Sequence, residues 1–324
     1  MQIIRYSTCA FCTFATPKDI DMSTPSEKTN ANLTLIMIVS MVFWGVSWPS
    51  NGVLTKLGNP MELNALRYTI VVLSLLVLLY FLKIPLKIAV KGIPFLLISG
   101  GLMSVYSFTF LKGLQTGNPG AGGILVTTLN PIMAYGLGMI IDWRRPSINE
   151  SIGLIFGAIA GLTLLQIWSK PDIFSNPGNV FFLLSAFIWA VMSKFTSKAA
   201  NYGSPFAFTW WMYVVTLVCL FFLSDFTEIN RLVHLTEATF WGNLLFGSII
   251  VTSLATTMYF YATSKIGAEK ASSFIFTVPF TAALSSWLIL GEKIEVHTII
   301  GGTIGIAAVY MINRKVKKTK NRSV

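Results

Sequence analysis

The chemistry open to this chain is narrowed first by where its ionisable side chains stand. The 324 residues hold 13 acids, 24 lysines and arginines and two histidines. Every acid falls in the N-terminal stretch (Asp19, Asp21, Glu27), between long apolar runs or at their ends, as Glu62, Asp142, Glu150 and Glu269 illustrate. A proton-driven carrier needs a carboxylate or histidine within the membrane, and no run carries one at its centre. Arg67 is the one cation inside a run, about four residues in from Leu63. Two readings of it stay open. It can snorkel to the headgroups on its long stem, or it can face a cavity and attract a substrate carboxylate. Asn51, Asn130 and Thr277 are polar groups in apolar surroundings that need buried partners. With the aromatics Trp44, Tyr106, Trp189 and Tyr259 they complete the candidate substrate-binding set.

Catalytic and metal chemistry find little support. Cys9 and Cys12 form one isolated C-x-x-C pair without a nearby histidine, and Cys219 is alone in an apolar run. His234 and His297 are too far apart to give a ligand spacing. A membrane enzyme would cluster His, Asp or Glu at one face, and Asp225, Glu228 and Glu237 with His234 are too loosely spaced for that. A channel is a weaker rival, since its pore would not require the inverted repeat that the chain carries. No catalytic residue, metal or cofactor is therefore expected.

The elements that must position these residues follow from composition. Apolar residues make up 54% of the chain and charged ones only 11%, with a mean hydropathy of +0.67. Soluble domains run at about 25% charged, so lipid must stand in for water around most of this surface. The net charge of +11 does not indicate nucleic acid, because the bases lie between and after the apolar runs rather than along one face. Ten uncharged windows lie between residues 33 and 313, most of them 18 residues or longer. Crossing the hydrocarbon takes about 20 helical residues, and no recurrent strand-like alternation suggests a barrel. The fold class predicted is an all-α integral membrane protein of ten transmembrane helices.

The lysines and arginines set the orientation. Eighteen lie on the side of both termini and five on the other, with Arg67 inside a span. Short loops rich in Lys and Arg stay in the cytoplasm. Both termini are therefore expected there, in a multi-pass protein of the inner (plasma) membrane. Residues 1–32 read as a cytoplasmic tail without the apolar core and cleavage site of a signal peptide, and 314–324 as a basic tail.

The chain also repeats itself. Residues 131–157 match 279–305 without a gap, pairing Pro131 with Pro279, Gly153 with Gly301 and Gly157 with Gly305. Phe43-Trp44 corresponds to Ile188-Trp189. The halves are then 33–169 and 170–313, and five spans in each force them into opposite orientations. Inverted repeats of this kind belong to secondary transporters, with the substrate site near the midplane where the halves meet. Pro131 and Pro279 lack an N–H and are expected to bend their helices beside a cavity. Gly153, Gly157 and Gly161 in the fifth span, with Gly301 and Gly305 in the tenth, let helices approach closely. That strip serves packing within one bundle or a homodimer surface, and the sequence leaves both open.

Phe43-Trp44-Gly45 opening the first span, Arg67-Tyr68 in the second, the matched prolines and Gly291-Glu292 closing the ninth resemble the drug/metabolite transporter superfamily, in its EamA type with two EamA repeats. The resemblance covers about residues 33–313. It implies a ten-helix basket around a central cavity that carries small metabolites, often outward. Two departures make the halves chemically unequal. Trp143-Arg144 stands where the second half has Gly291-Glu292, and Trp210-Trp211 lies near the place that would match Arg67. The function expected is a secondary transporter, exporter or exchanger, of amino acids or related amphipathic compounds, with the lipid bilayer and a possible homodimer as its other partners.

Overall fold

The computed structural model describes residues 27–117, 119–166, 168–169, 177–290 and 296–314. The tail before residue 27, Cys9 and Cys12 with it, lies outside these residues, as do Gly291-Glu292 and the basic tail beyond Arg314. All long elements are helices: α1 (Glu27–Leu54), α2 (Pro60–Phe81), α3 (Ile93–Thr116), α4 (Pro119–Ile141), α5 (Ile148–Leu165), α6 (Gly178–Thr196) and α7 (Pro205–Leu223). A short α8 (Phe226–Val233) follows, then α9 (Ala238–Leu245), a π-helix (Phe246–Thr256) and α10 (Thr257–Ile266) running on without a break as the eighth span. The ninth is assembled from α11 (Ala268–Ser273), a 3-10 turn (Phe274–Thr277) and α12 (Val278–Leu290), and α13 (Val296–Asn313) closes the bundle.

Among the described residues, nine helices are long and apolar enough to cross a membrane. The composite ninth span is the tenth element. No strand is present among the described residues, only the isolated bridge Ile88–Gly203. Helices answer the problem that lipid sets, since each satisfies its own backbone. Local signals fix the ends. Prolines open α2, α3 and α7 in the first turn, where a missing N–H costs nothing. At α5, Ser147 and Glu150 close a capping box, the Ser147 amide donating to Glu150 Oε2 at 2.7 Å. The exterior is apolar, with Leu73, Val77, Ile140 and Phe222 more than half exposed. A patch of that extent belongs in lipid rather than water.

The two halves interlock. α5 lies along α13, α3 and α4 pack on α6, α1 on α12 and the π-helix, and α2 and α3 on α7. Exchanging the two sets of five spans maps these pairs onto one another, α3–α7 onto the contact of α2 with the π-helix, with α5–α13 and α2–α7 mapping onto themselves. The glycine strips lie in the α5–α13 seam. A Cβ at Gly153 would come within 2.9 Å of the Ala308 carbonyl oxygen, and one at Gly301 within 3.1 Å of that of Ala160. Gly305 sits against the Phe276 carbonyl and Gly157 against the Phe276 ring. Gly161 meets Thr128 of α4. These glycines are used inside one bundle.

The matched prolines differ. Pro131 lies inside an unbroken α4, whereas Pro279 is the second residue of α12, just after the 3-10 turn. A proline in a first turn removes no helical bond, so the second half changes helix type at the place where the first half runs on.

Candidate functional site

The face at which α1 begins and α13 ends is called the inner face below, and its opposite the outer. Between the halves lies a cavity of about 670 Å³ of empty space, counted to its open mouth. Its wall draws on α1 (Trp44, Ser47, Trp48, Asn51), α2 (Arg67, Tyr68), α3 (Tyr106, Phe110), α4 (Thr127, Asn130), α6 (Trp189) and the π-helix (Thr252, Thr256). Arg67 is the only charged residue among those that line it.

The geometry of Arg67 departs from the sequence expectation of a group four residues inside its span. α2 begins at Pro60, so Arg67 is seven residues in, about 10 Å at the helical rise. Its Nη2 donates to Thr252 Oγ1 at 2.7 Å, and its Nε is buried without a partner. A guanidinium held in this way faces the cavity rather than the headgroups. Three more buried atoms on the wall lack partners, the amide oxygens of Asn51 and Asn130 and the indole Nε1 of Trp189. The two amide nitrogens donate once each, Asn51 to the Ser47 carbonyl at 2.9 Å and Asn130 to that of Ala186 at 3.1 Å. An unmet buried polar atom costs about 1–3 kcal/mol. The wall therefore carries two unmet donors, on Arg67 and Trp189, and two unmet acceptors, on Asn51 and Asn130.

The π-helix orients this chemistry. Its i→i+5 register lets Thr252 Oγ1 donate to the Gly247 carbonyl at 2.8 Å and Thr256 Oγ1 to that of Val251 at 2.9 Å. Each hydroxyl, its proton spent, accepts from the wall. Thr252 takes Arg67 and Thr256 takes the Trp44 indole N–H at 3.2 Å.

An aromatic floor closes the inner end. The Trp44 and Trp189 rings meet edge to face at 5.1 Å between centroids, and Tyr106 lies 4.6 Å from Trp189. Tyr259 is fully buried behind both tryptophans, its hydroxyl bonded to Ser193. It supports the floor and does not line the cavity. Thr277 does not line it either, since its hydroxyl is turned back to the Phe274 carbonyl on the 3-10 turn. The structure thus brings together Trp44, Asn51, Arg67, Tyr106, Asn130 and Trp189. It adds Thr252 and Thr256, which the sequence reading missed although hydroxyls four apart in an apolar run were a signal. Pro131 follows directly on Asn130 of the wall, and Pro279 follows Val278, which also lines the cavity. No group of three metal-binding side chains occurs among the described residues.

The model of the EamA-like transporter family matches residues 33–166 and again 176–314. The uncharacterized transporter YvbV of Bacillus subtilis is 24% identical over 92% of this chain and 96% of its own length. The WAT1-related protein At3g02690, chloroplastic, of Arabidopsis thaliana is 24% identical over 62% of this chain, which spans only half of that protein. One solved crystal structure superposes with a TM-score of 0.66 over 87% of this chain and 96% of its own, at 16% identity. That likeness concerns the fold alone.

Proposed function

The chain belongs to the EamA-like transporter family, a multi-pass membrane protein and not an enzyme, and we propose that it exports or exchanges small amphipathic metabolites bearing a carboxylate, amino acids or their relatives among them. The observation that carries this reading is Arg67, the one charge in a cavity between the halves, with a buried N–H left over. Its planar fork suits a carboxylate. The amide oxygens of Asn51 and Asn130 suit a donor such as an ammonium group, and the tryptophans suit an apolar side chain. Rocking of the halves 33–169 and 170–313 would present this site to each membrane face in turn. The basic-residue bias supports cytoplasmic termini in the plasma membrane. With the glycine strips spent inside the bundle, a homodimer would have to use another face. The lack of a mid-span acid favours exchange without proton coupling.

Comparing metabolites in the medium of overexpressing and deleted cells tests the proposal. A carboxylate-bearing amphipathic compound should rise with overexpression and fall on deletion. Identical media would argue against export.

A further inference from the structure

Beneath the aromatic floor, at the inner face, five charged side chains meet across the boundary between the halves. Asp142, Arg144 and Glu150 come from the α4–α5 junction of the first half, Lys194 from the end of α6 and Glu269 from the start of α11 in the second. Arg144 pairs with Glu150 at 2.5 Å and with Glu269 at 3.7 Å. Lys194 pairs with Glu269 at 2.8 Å and with Asp142. The Glu269 side chain is 8% exposed and that of Lys194 12%. Gly138 leaves room for that carboxylate, since a Cβ there would come within 2.5 Å of Glu269 Oε1. Burial opposes the charge of Arg144, but Glu150 and Glu269 outweigh it and hold its pKa above the ordinary arginine value.

We infer that this cluster is an ionic lock that holds the inner face shut and tilts the carrier toward the state open at the outer face. The inference rests on the carrier reading above and adds the bias between its two states. Symmetry supplies the reasoning. Inverted halves give the inner-open and outer-open states nearly equivalent packing, so a preference must come from residues that the repeat does not duplicate. At the repeat offset that pairs Pro131 with Pro279, Asp142 corresponds to Leu290, Arg144 to Glu292, Glu150 to Thr298 and Glu269 to Ala121. At the offset that pairs Trp44 with Trp189, Lys194 corresponds to Pro49. Neither base has a basic counterpart, so the repeat does not duplicate these two cations at the equivalent outer positions. Opening the inner face must part Lys194 and Glu269 from Asp142 and Arg144, which the outward movement does not require. A ligand arriving from the inner side then meets a minor state, and its apparent affinity falls by the fraction populated.

Accessibility to a membrane-impermeant maleimide tests this without any substrate. Cys9, Cys12 and Cys219 are replaced by serine in the full chain, and Val126→Cys places a reporter on the cavity wall. Sealed vesicles of both orientations expose one face at a time. With the lock intact, labelling from the outer face should be about tenfold or more faster than from the inner, in the range of ordinary coupling energies. Lys194→Gln and Glu269→Gln should each raise the inner-face rate by about tenfold, and Asp142→Asn, at a half-exposed member, in the same direction by less. Equal labelling from both faces of the unlocked and intact protein overturns the lock, as does an inner-face rate that no variant changes. Should the two buried variants fail to reach the membrane, the intact protein and Asp142→Asn still decide. A failed search for substrate would leave this result standing, and a flat labelling result would leave the transport site standing.

Discussion

The halves of this molecule meet in two ways, and the α5–α13 seam and the Arg67 cavity are the extremes. In the seam, each glycine is filled by a neighbour's backbone or side chain, such as Ala308, Ile312, Leu164 or Phe276. Around the cavity, the amide oxygens of Asn51 and Asn130, the Nε of Arg67 and the Nε1 of Trp189 are buried without partners. In one interface a methyl added at these glycines would overlap its neighbours. The other leaves polar atoms unmet, which a soluble core would not sustain. A single inverted repeat thus supplies both a dry contact that can act as a pivot and an open one that can take a ligand.

Substitutions can break that contrast from either side, and the seam should be the more fragile. Gly157→Leu drives a branched side chain into the Phe276 ring. Overpacking typically costs about 1–3 kcal/mol, and more where backbone blocks relaxation. The expected outcome is a chain that fails to run as a monodisperse species in detergent or melts several degrees lower. Normal stability would mean that the seam is loose.

Thr252→Val should leave the fold intact and act on the cavity. It removes the oxygen that accepts from Arg67 while nearly keeping the volume. Losing a bond to a charged group is worth about 1.5–3 kcal/mol. Apparent substrate affinity should therefore fall by about tenfold or more, with the melting temperature little changed. The expected effect is smaller at Trp44→Phe, which keeps a ring on the floor but loses the N–H to Thr256. A neutral hydrogen bond is worth about 1 kcal/mol, so transport should drop about fivefold. An imposed pH gradient should move substrate accumulation least of all. Strong gradient-driven accumulation in liposomes would show that a proton carrier operates after all.

Much of this was legible in the sequence, for reasons that also mark the limits. Ten apolar runs and their repetition gave the membrane bundle, because lipid permits little else. Trp44 and Trp189 could be placed together because the repeat matches them, and Arg67, Asn51 and Asn130 stood out against an apolar background. The π-helix left no compositional trace, since Phe246–Thr256 reads like any other apolar stretch. Its consequence, two hydroxyls aimed at Arg67 and Trp44, was therefore lost. Tyr259 passed for a wall residue although it stands one layer behind. Thr277 did so although a 3-10 turn diverts it. Pro131 and Pro279 looked equivalent, yet only the second half breaks its helix there. The ionic cluster was hidden because its members lie in separate elements, Lys194 being 75 positions from Glu269, and acids at span ends ordinarily face water.

The central claim is that Arg67 binds the carboxylate of the transported compound, and an exchange assay in liposomes across two variants tests it most directly. Arg67→Lys keeps the charge but loses the planar fork, and Arg67→Gln removes the charge as well. With the protein inserted at equal levels, exchange should fall in the order wild type, Lys, Gln. The loss at Gln should be about a hundredfold, as for a charged bond worth about 3 kcal/mol. Full exchange in both variants would contradict the account and remove Arg67 from the site.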